Sequence, residues 1–258
     1  MRSKKTPGET DGIPAGREED AEGAAAGALE TVERHPQRAG AVERAEAAEP
    51  EPVEAEDPRL VQARQLAQAG ELLAAIELAR TVARERPDEV GPRLALGGYY
   101  ERRGEHLLAL EQFEAARELA ADNVDVLLGM AAAQTELKRY EPAEGSLKRA
   151  QRLEPARADV HASMGTLSYK RGLYAQAELE LKRALDLDPD HGVAYFYRGE
   201  CLNQLGRVDE ALEMLERSVV LHPHNPRAYF TMGILYDRKH LPQQAAAMYR
   251  KAREVTAA

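Results

Sequence analysis

Between residues 175 and 188 the apolar residues Ala177, Leu181, Ala184, Leu185 and Leu187 fall mostly on one face of a helix of 3.6 residues per turn. The same spacing recurs along the chain from about residue 56. It predicts a first hairpin over roughly 58–69 and 73–86. Further first helices are predicted near 91–103, 125–137, 159–171, 193–205 and 227–239, and second helices near 107–120, 141–154, 175–188, 209–222 and 243–256.

These elements repeat at a fixed interval. Ala75, Ala109, Ala143, Ala177, Ala211 and Ala245 are each 34 residues apart. Pro155, Pro189 and Pro223 step by 34, and Pro87 stands two steps before the first of them, with Ala121 in the slot between. Gly70, Gly104, Gly172 and Gly206 share one column; Gly97, Gly165, Gly199 and Gly233 share another. Each column has a steric reason. A small residue at repeat position 8, and Ala at position 20, let two helices approach closely. Gly at position 15 suits a tight interhelical turn. Pro stops the second helix, and Asn225 before Pro226, like Asn123 at the same repeat position, reads as a helix N-cap.

The unit resembles the tetratricopeptide repeat, W-x2-L-G-x2-Y, then A-x3-F, then P. Leu96, Gly97, Tyr100, Ala109 and Phe113 carry it in the second unit, and Tyr229, Met232, Gly233, Tyr236, Ala245 and Tyr249 in the last. Tyr195, Tyr229 and His161 fill the Trp slot. The first unit is degenerate, with Arg59, Gln62, Ala63 and Leu66 in the signature slots, as expected of a terminal repeat facing solvent. The resemblance implies an all-α, right-handed superhelical solenoid of six helix-turn-helix repeats. Their expected bounds are 56–89, 90–123, 124–157, 158–191, 192–225 and 226–258, preceded by a tail over 1–55.

The resemblance also implies a concave face lined by the first helices at repeat positions 2, 5, 9, 12 and 13. Position 5 gives Leu94, Leu128, Ala162, Phe196 and Phe230 after Leu60. Position 9 gives Gly98, Ala132, Thr166, Glu200 and Ile234; position 12 gives Glu101, Thr135, Tyr169, Asn203 and Asp237. The expectation is an apolar groove that takes an amphipathic helix or extended peptide; the alternative is that position 5 packs in part against the neighbouring hairpin. The family's carboxylate clamp for chaperone C-termini needs Lys at position 5 and Asn at positions 6 and 9. Position 5 holds no Lys, position 9 no Asn, and position 6 reads Val61, Ala95, Gly129, Ser163, Tyr197 and Thr231. That partner class is not expected. Arg102, Lys170 and Arg238 at position 13 either meet an acidic ligand or pair with neighbouring acids.

The sequence stops soon after the sixth second helix. Tyr249, Ala252 and Val255 are therefore expected at an uncovered C-terminal edge, available for self-association or docking. Residues 1–55 contain no aromatic side chain and carry 13 acidic against 7 basic residues. Disorder is expected there, or a helix that forms on a partner.

Other chemistry is sparse. The net charge of -9 disfavours general nucleic-acid binding. One cysteine, Cys201, excludes an intramolecular disulfide and fits a reducing compartment. No apolar stretch approaches a membrane span and no apolar segment follows the basic N-terminus, so a cytoplasmic location is expected. His222 and His224 are the nearest approach to a metal pair but lack a ligand set; Cys201 lacks a base. No catalytic residue, metal or cofactor is expected. The chain reads as a scaffold or adaptor for a protein or peptide partner. An accessory subunit docking through its C-terminal edge, and a regulatory subunit of a separate enzyme, remain alternatives.

Overall fold

The computed structural model describes residues 56–257. The tail expected over 1–55 lies outside the described residues. Twelve α-helices and no strands make up the described part. They run as α1 (Pro58–Gln68), α2 (Leu72–Glu85), α3 (Val90–Arg102), α4 (His106–Leu119), α5 (Val124–Glu136) and α6 (Tyr140–Leu153), followed by α7 (Ala158–Lys170), α8 (Tyr174–Leu187), α9 (Gly192–Gln204), α10 (Val208–Leu221), α11 (Pro226–Arg238) and α12 (Pro242–Ala257). Each helix starts and ends within one residue of its position in the sequence reading.

The starts and stops have local causes. Asn225 accepts from the backbone N–H groups of Arg227 and Ala228, with Pro226 at the first helical position. Asn123 accepts from Val126 N–H in the same way. Gly70, Gly104, Gly172 and Gly206 turn the chain between paired helices at φ of +88°, +75°, +78° and +78°. Lys138 and His240 hold the same repeat position and adopt φ of 60° and 59°. All six hairpins therefore share one left-handed turn, and two of them impose it on a side chain that resists it.

Within a hairpin, the position-8 glycines let a large side chain of the second helix reach the first. A Cβ placed on Gly97, Gly165, Gly199 or Gly233 would come closer than 3.0 Å to Phe113, Leu181, Leu215 or Tyr249, respectively. The position-20 alanines are sealed as well: Ala75, Ala109, Ala143, Ala177 and Ala211 are fully buried, and Ala245 nearly so. His161, in the Trp slot, is buried with Nδ1 2.9 Å from Glu180 Oε2 and Nε2 3.0 Å from the Pro155 carbonyl. The first hairpin is degenerate in residue type but not in packing, since Ala63, Ala75 and Ala79 leave no exposed surface.

Between hairpins, every first helix touches the next first helix, from α1 on α3 through α9 on α11. Among the described residues, no second helix makes comparable contact with the next second helix. The first helices are thus the crowded, inner side of the curve, and they present the concave face.

Candidate functional site: the concave face

The concave face deepens where α3, α5, α7 and α9 converge. A depression of about 360 Å³ there is lined by Glu101, Thr135, Glu136, Ser163, Thr166 and Tyr197. Ala131, Ala132, His106, Leu147 and Val193 complete its wall. Helical spacing explains the grouping: positions 9, 12 and 13 of one repeat stand one turn apart and meet positions 2, 6 and 9 of the following repeats.

The polar groups of this wall are mostly acceptors. Thr135 donates its hydroxyl hydrogen to the Ala131 carbonyl at 2.6 Å, and Thr166 donates to the Ala162 carbonyl at 2.9 Å. Each oxygen keeps lone pairs for the groove. Lys170 is held by Glu136, with Nζ 2.8 Å and 3.0 Å from the two carboxylate oxygens. Glu101 is half-buried and has no such partner among the described residues. Burial first, and the neighbouring Glu136 second, push its carboxyl up to about 7. His106 Nδ1 is buried with no hydrogen-bond partner among the described residues.

The next stretch toward the C-terminus is tightly filled. Tyr169 donates to Glu200 Oε2 at 3.0 Å, while Glu200 Oε1 is buried without a partner among the described residues. The Tyr169 and Tyr197 rings stand 5.4 Å apart, and Tyr197 meets Phe196 edge-on at 5.1 Å. Beside them, burial and then the charges of Glu200 and Glu178 push the Cys201 thiol up to about 12. A thiol so placed is inert packing, with no means of forming a nucleophilic thiolate near neutral pH.

Position 5, read as a groove lining or as packing in part against the neighbouring hairpin, is mostly packed. Ala162 and Phe196 are buried within the hydrophobic core, and Leu94 and Leu128 are half-buried against core clusters. Their side chains seal neighbouring hairpins together, because position 5 faces the joint between repeats. Only Phe230 of that row, at 54% exposure, is open. From the expected set, the depression gathers Glu101, Ala132, Thr135 and Thr166. Gly98 lies outside it, half-buried. So do Tyr169, Glu200, Asn203, Ile234 and Asp237; Asn203 accepts from Arg238 at 2.7 Å, and Asp237 accepts from the Tyr249 hydroxyl at 2.8 Å.

Glu136, His106, Ser163, Val193 and Tyr197 join the wall without having been singled out by the sequence. Ser163 and Tyr197 sit in the position-6 row and Glu136 in the position-13 row, so the register carried their signal. The position-13 cations are structural. Arg102 donates to the Ala67 carbonyl at 2.7 Å, Lys170 to Glu136 and Arg238 to Asn203, each tying its helix to the preceding repeat.

A second depression, of about 780 Å³, lies on the C-terminal edge. Phe230, Tyr249 and Ala252 line it with Pro226, Arg227, Arg253, Thr256 and Ala257. Tyr249 packs on Phe230 with ring centroids 5.4 Å apart. Ala252 is buried, and Val255, expected at this edge, packs into the core shared by α9 to α12. Of the loop histidines, His222 lies against Gly192, where a Cβ would collide with its ring. Among the described residues, no three His, Cys, Asp or Glu side chains are grouped to hold a metal. No helix among them is long and apolar enough to cross a membrane.

Comparison with known proteins agrees with this architecture. A family model described as tetratricopeptide repeat matches residues 163–226. The solved structure of TTC0263, a thermophilic TPR protein of Thermus thermophilus, is 24% identical with a TM-score of 0.63, over 70% of this chain and 98% of that one. PilF of Pseudomonas aeruginosa is 21% identical with a TM-score of 0.59, over 78% of this chain and 96% of that one. A chain of the APC/C hetero-tetramer Cut9–Hcn1 is 14% identical with a TM-score of 0.71; the match covers 77% of this chain and 40% of that one. At these identities the likeness is one of fold. No curated protein sequence matches the chain.

Proposed function

We propose that this tetratricopeptide-repeat protein is a non-enzymatic scaffold that binds a polypeptide segment along the concave face of its second to fifth repeats. The observation that carries the reading is the depression lined by Glu101, Thr135, Glu136, Ser163, Thr166 and Tyr197. Six helices, α3 to α7 and α9, contribute to it and are fixed by core packing, so the recognising groups are pre-arranged and little ordering cost falls on this side of the complex. The polar lining gives direction and specificity, and the exposed Val193 and Ala132 of the same wall supply apolar contact. The reading assigns no catalysis to the chain.

The test is affinity capture from native cells with the full-length chain and two variants. Ala132→Arg adds a bulky charge to an exposed wall position, and Phe230→Glu alters only the edge. Loss of the captured partner with Ala132→Arg at an unchanged thermal midpoint, and its retention with Phe230→Glu, supports the reading. The reverse pattern removes it.

The exposure of Phe230 over the edge depression favours a second reading, docking or self-association through α11 and α12. Sedimentation of the full-length chain across the micromolar range measures that directly. A concentration-independent monomer contradicts self-association.

A further inference from the structure

We infer that the depression between α3, α5, α7 and α9 is a pocket for an arginine side chain of the bound polypeptide. The inference rests on the concave-face reading above and adds the chemistry of the residue held there. It comes from an inventory of hydrogens. The hydroxyl hydrogens of Thr135 and Thr166 are committed to the carbonyls of their own helices. The Lys170 ammonium is committed to Glu136, and the Arg102 guanidinium is turned to the Ala67 carbonyl. What faces the depression is a set of acceptors: the Glu101 and Glu136 carboxylates and the lone pairs of two threonine oxygens. Ser163, whose hydroxyl rotates freely, adapts to either role.

A ligand that only donates satisfies such a wall. A carboxylate would meet Glu101 and Glu136 with like charge and find only the Ser163 and Tyr197 hydroxyls to donate to it, with no free cation in the wall among the described residues. An apolar anchor would cover Glu101 and leave a carboxylate buried without a partner. A cation does the opposite, because it supplies the missing partner to a group that burial and Glu136 already make costly to ionise. His106 Nδ1, also in the wall, is buried and unpartnered among the described residues, and in the Nε2–H tautomer it is a further acceptor.

Arginine fits better than lysine. Its planar fork carries five N–H donors, which suits several acceptors spread over three helices, whereas an ammonium is a compact point charge. Tyr197 stands in the wall, and a guanidinium gains more from contact with an aromatic ring than an ammonium does. This recognition is the inverse of the carboxylate clamp, whose lysines and asparagines are missing from this chain.

The experiment measures fluorescence anisotropy with the full-length chain and labelled pools of short randomised peptides. Each pool has one fixed central residue: Arg, Lys, Gln, Glu or Leu. The expected result is that the Arg pool binds about tenfold or more tightly than the Gln, Glu and Leu pools, with Lys between. Glu101→Gln, an isosteric change, reduces that preference without lowering the thermal midpoint, and Tyr197→Leu reduces it independently. Ala132→Arg abolishes binding of every pool. If the Leu or Glu pool binds as well as the Arg pool and Ala132→Arg still abolishes binding, the arginine inference falls and the concave-face reading stands. If the Arg pool binds equally to all variants, both fall. Absence of any Arg-pool binding overturns the inference.

Discussion

Gly97 has no room for a side chain because the Phe113 ring fills the space where its Cβ would stand. The ring is also closed in from the next repeat by Gly129, whose Cβ would lie 2.5 Å from it, so it has nowhere to retreat. Gly98, the next residue along, has nothing within 4 Å of a Cβ. Gly97→Ala is therefore expected to lower stability by about 1–3 kcal/mol through overpacking. Gly98→Ala is expected to raise it by up to about 1 kcal/mol through helix propensity. Urea unfolding of the two variants checks the opposite signs.

Lys138 and His240 occupy the left-handed turn that glycine fills in the other four hairpins. Replacing either by Gly relieves a strained backbone without removing a side-chain hydrogen bond of the described structure. Each substitution is expected to stabilise by about 1 kcal/mol, read as a raised thermal midpoint.

The repeat columns made the fold legible, because close helix approach, tight turns and helix stops each demand particular residues at fixed spacing. Gly97, Gly104 and Pro155 say this without any long-range information. The site was only partly legible. Position 5 looks like an exposed apolar strip in sequence, yet Phe196 is buried while Phe230 is open. The difference is the presence of a following hairpin, which a single repeat does not encode. The family resemblance implies a concave-face place for Glu101 from its repeat position. Its place beside Glu136, Thr166 and Tyr197 depends on the arrangement that brings α3 to α9 around one depression.

Glu101 gives the chain a pH signature. Its carboxyl is raised from the ordinary 4.5 to about 7, so the folded chain holds this proton more tightly than the unfolded chain. This group's contribution is most favourable below pH 4.5, declines as pH rises toward 7, and is flat above it. The full decline is on the order of 2 kcal/mol after allowance for partial exposure. Glu101→Gln is expected to gain on the wild type by that amount between about pH 5 and pH 8 in urea titrations. An equal pH dependence in the two proteins contradicts the assignment.

Tyr169 and Tyr236 both donate to a glutamate, but in different surroundings. Tyr169→Phe strips from the buried Glu200 its last partner among the described residues and is expected to cost about 2–3 kcal/mol. Tyr236→Phe removes an exposed bond to Glu216 and is expected to cost less than about 0.5 kcal/mol. Thermal unfolding of the pair distinguishes them.

The concave-face account is tested most directly by mapping a captured partner peptide onto the full-length chain with backbone amide chemical shifts. Binding through the depression shifts the amides of Ala132, Thr135, Ser163, Thr166 and Tyr197 and leaves those of Tyr249 and Ala252 in place. Shifts confined to Phe230, Tyr249, Ala252 and their neighbours on α11 and α12 contradict it and place recognition on the C-terminal edge.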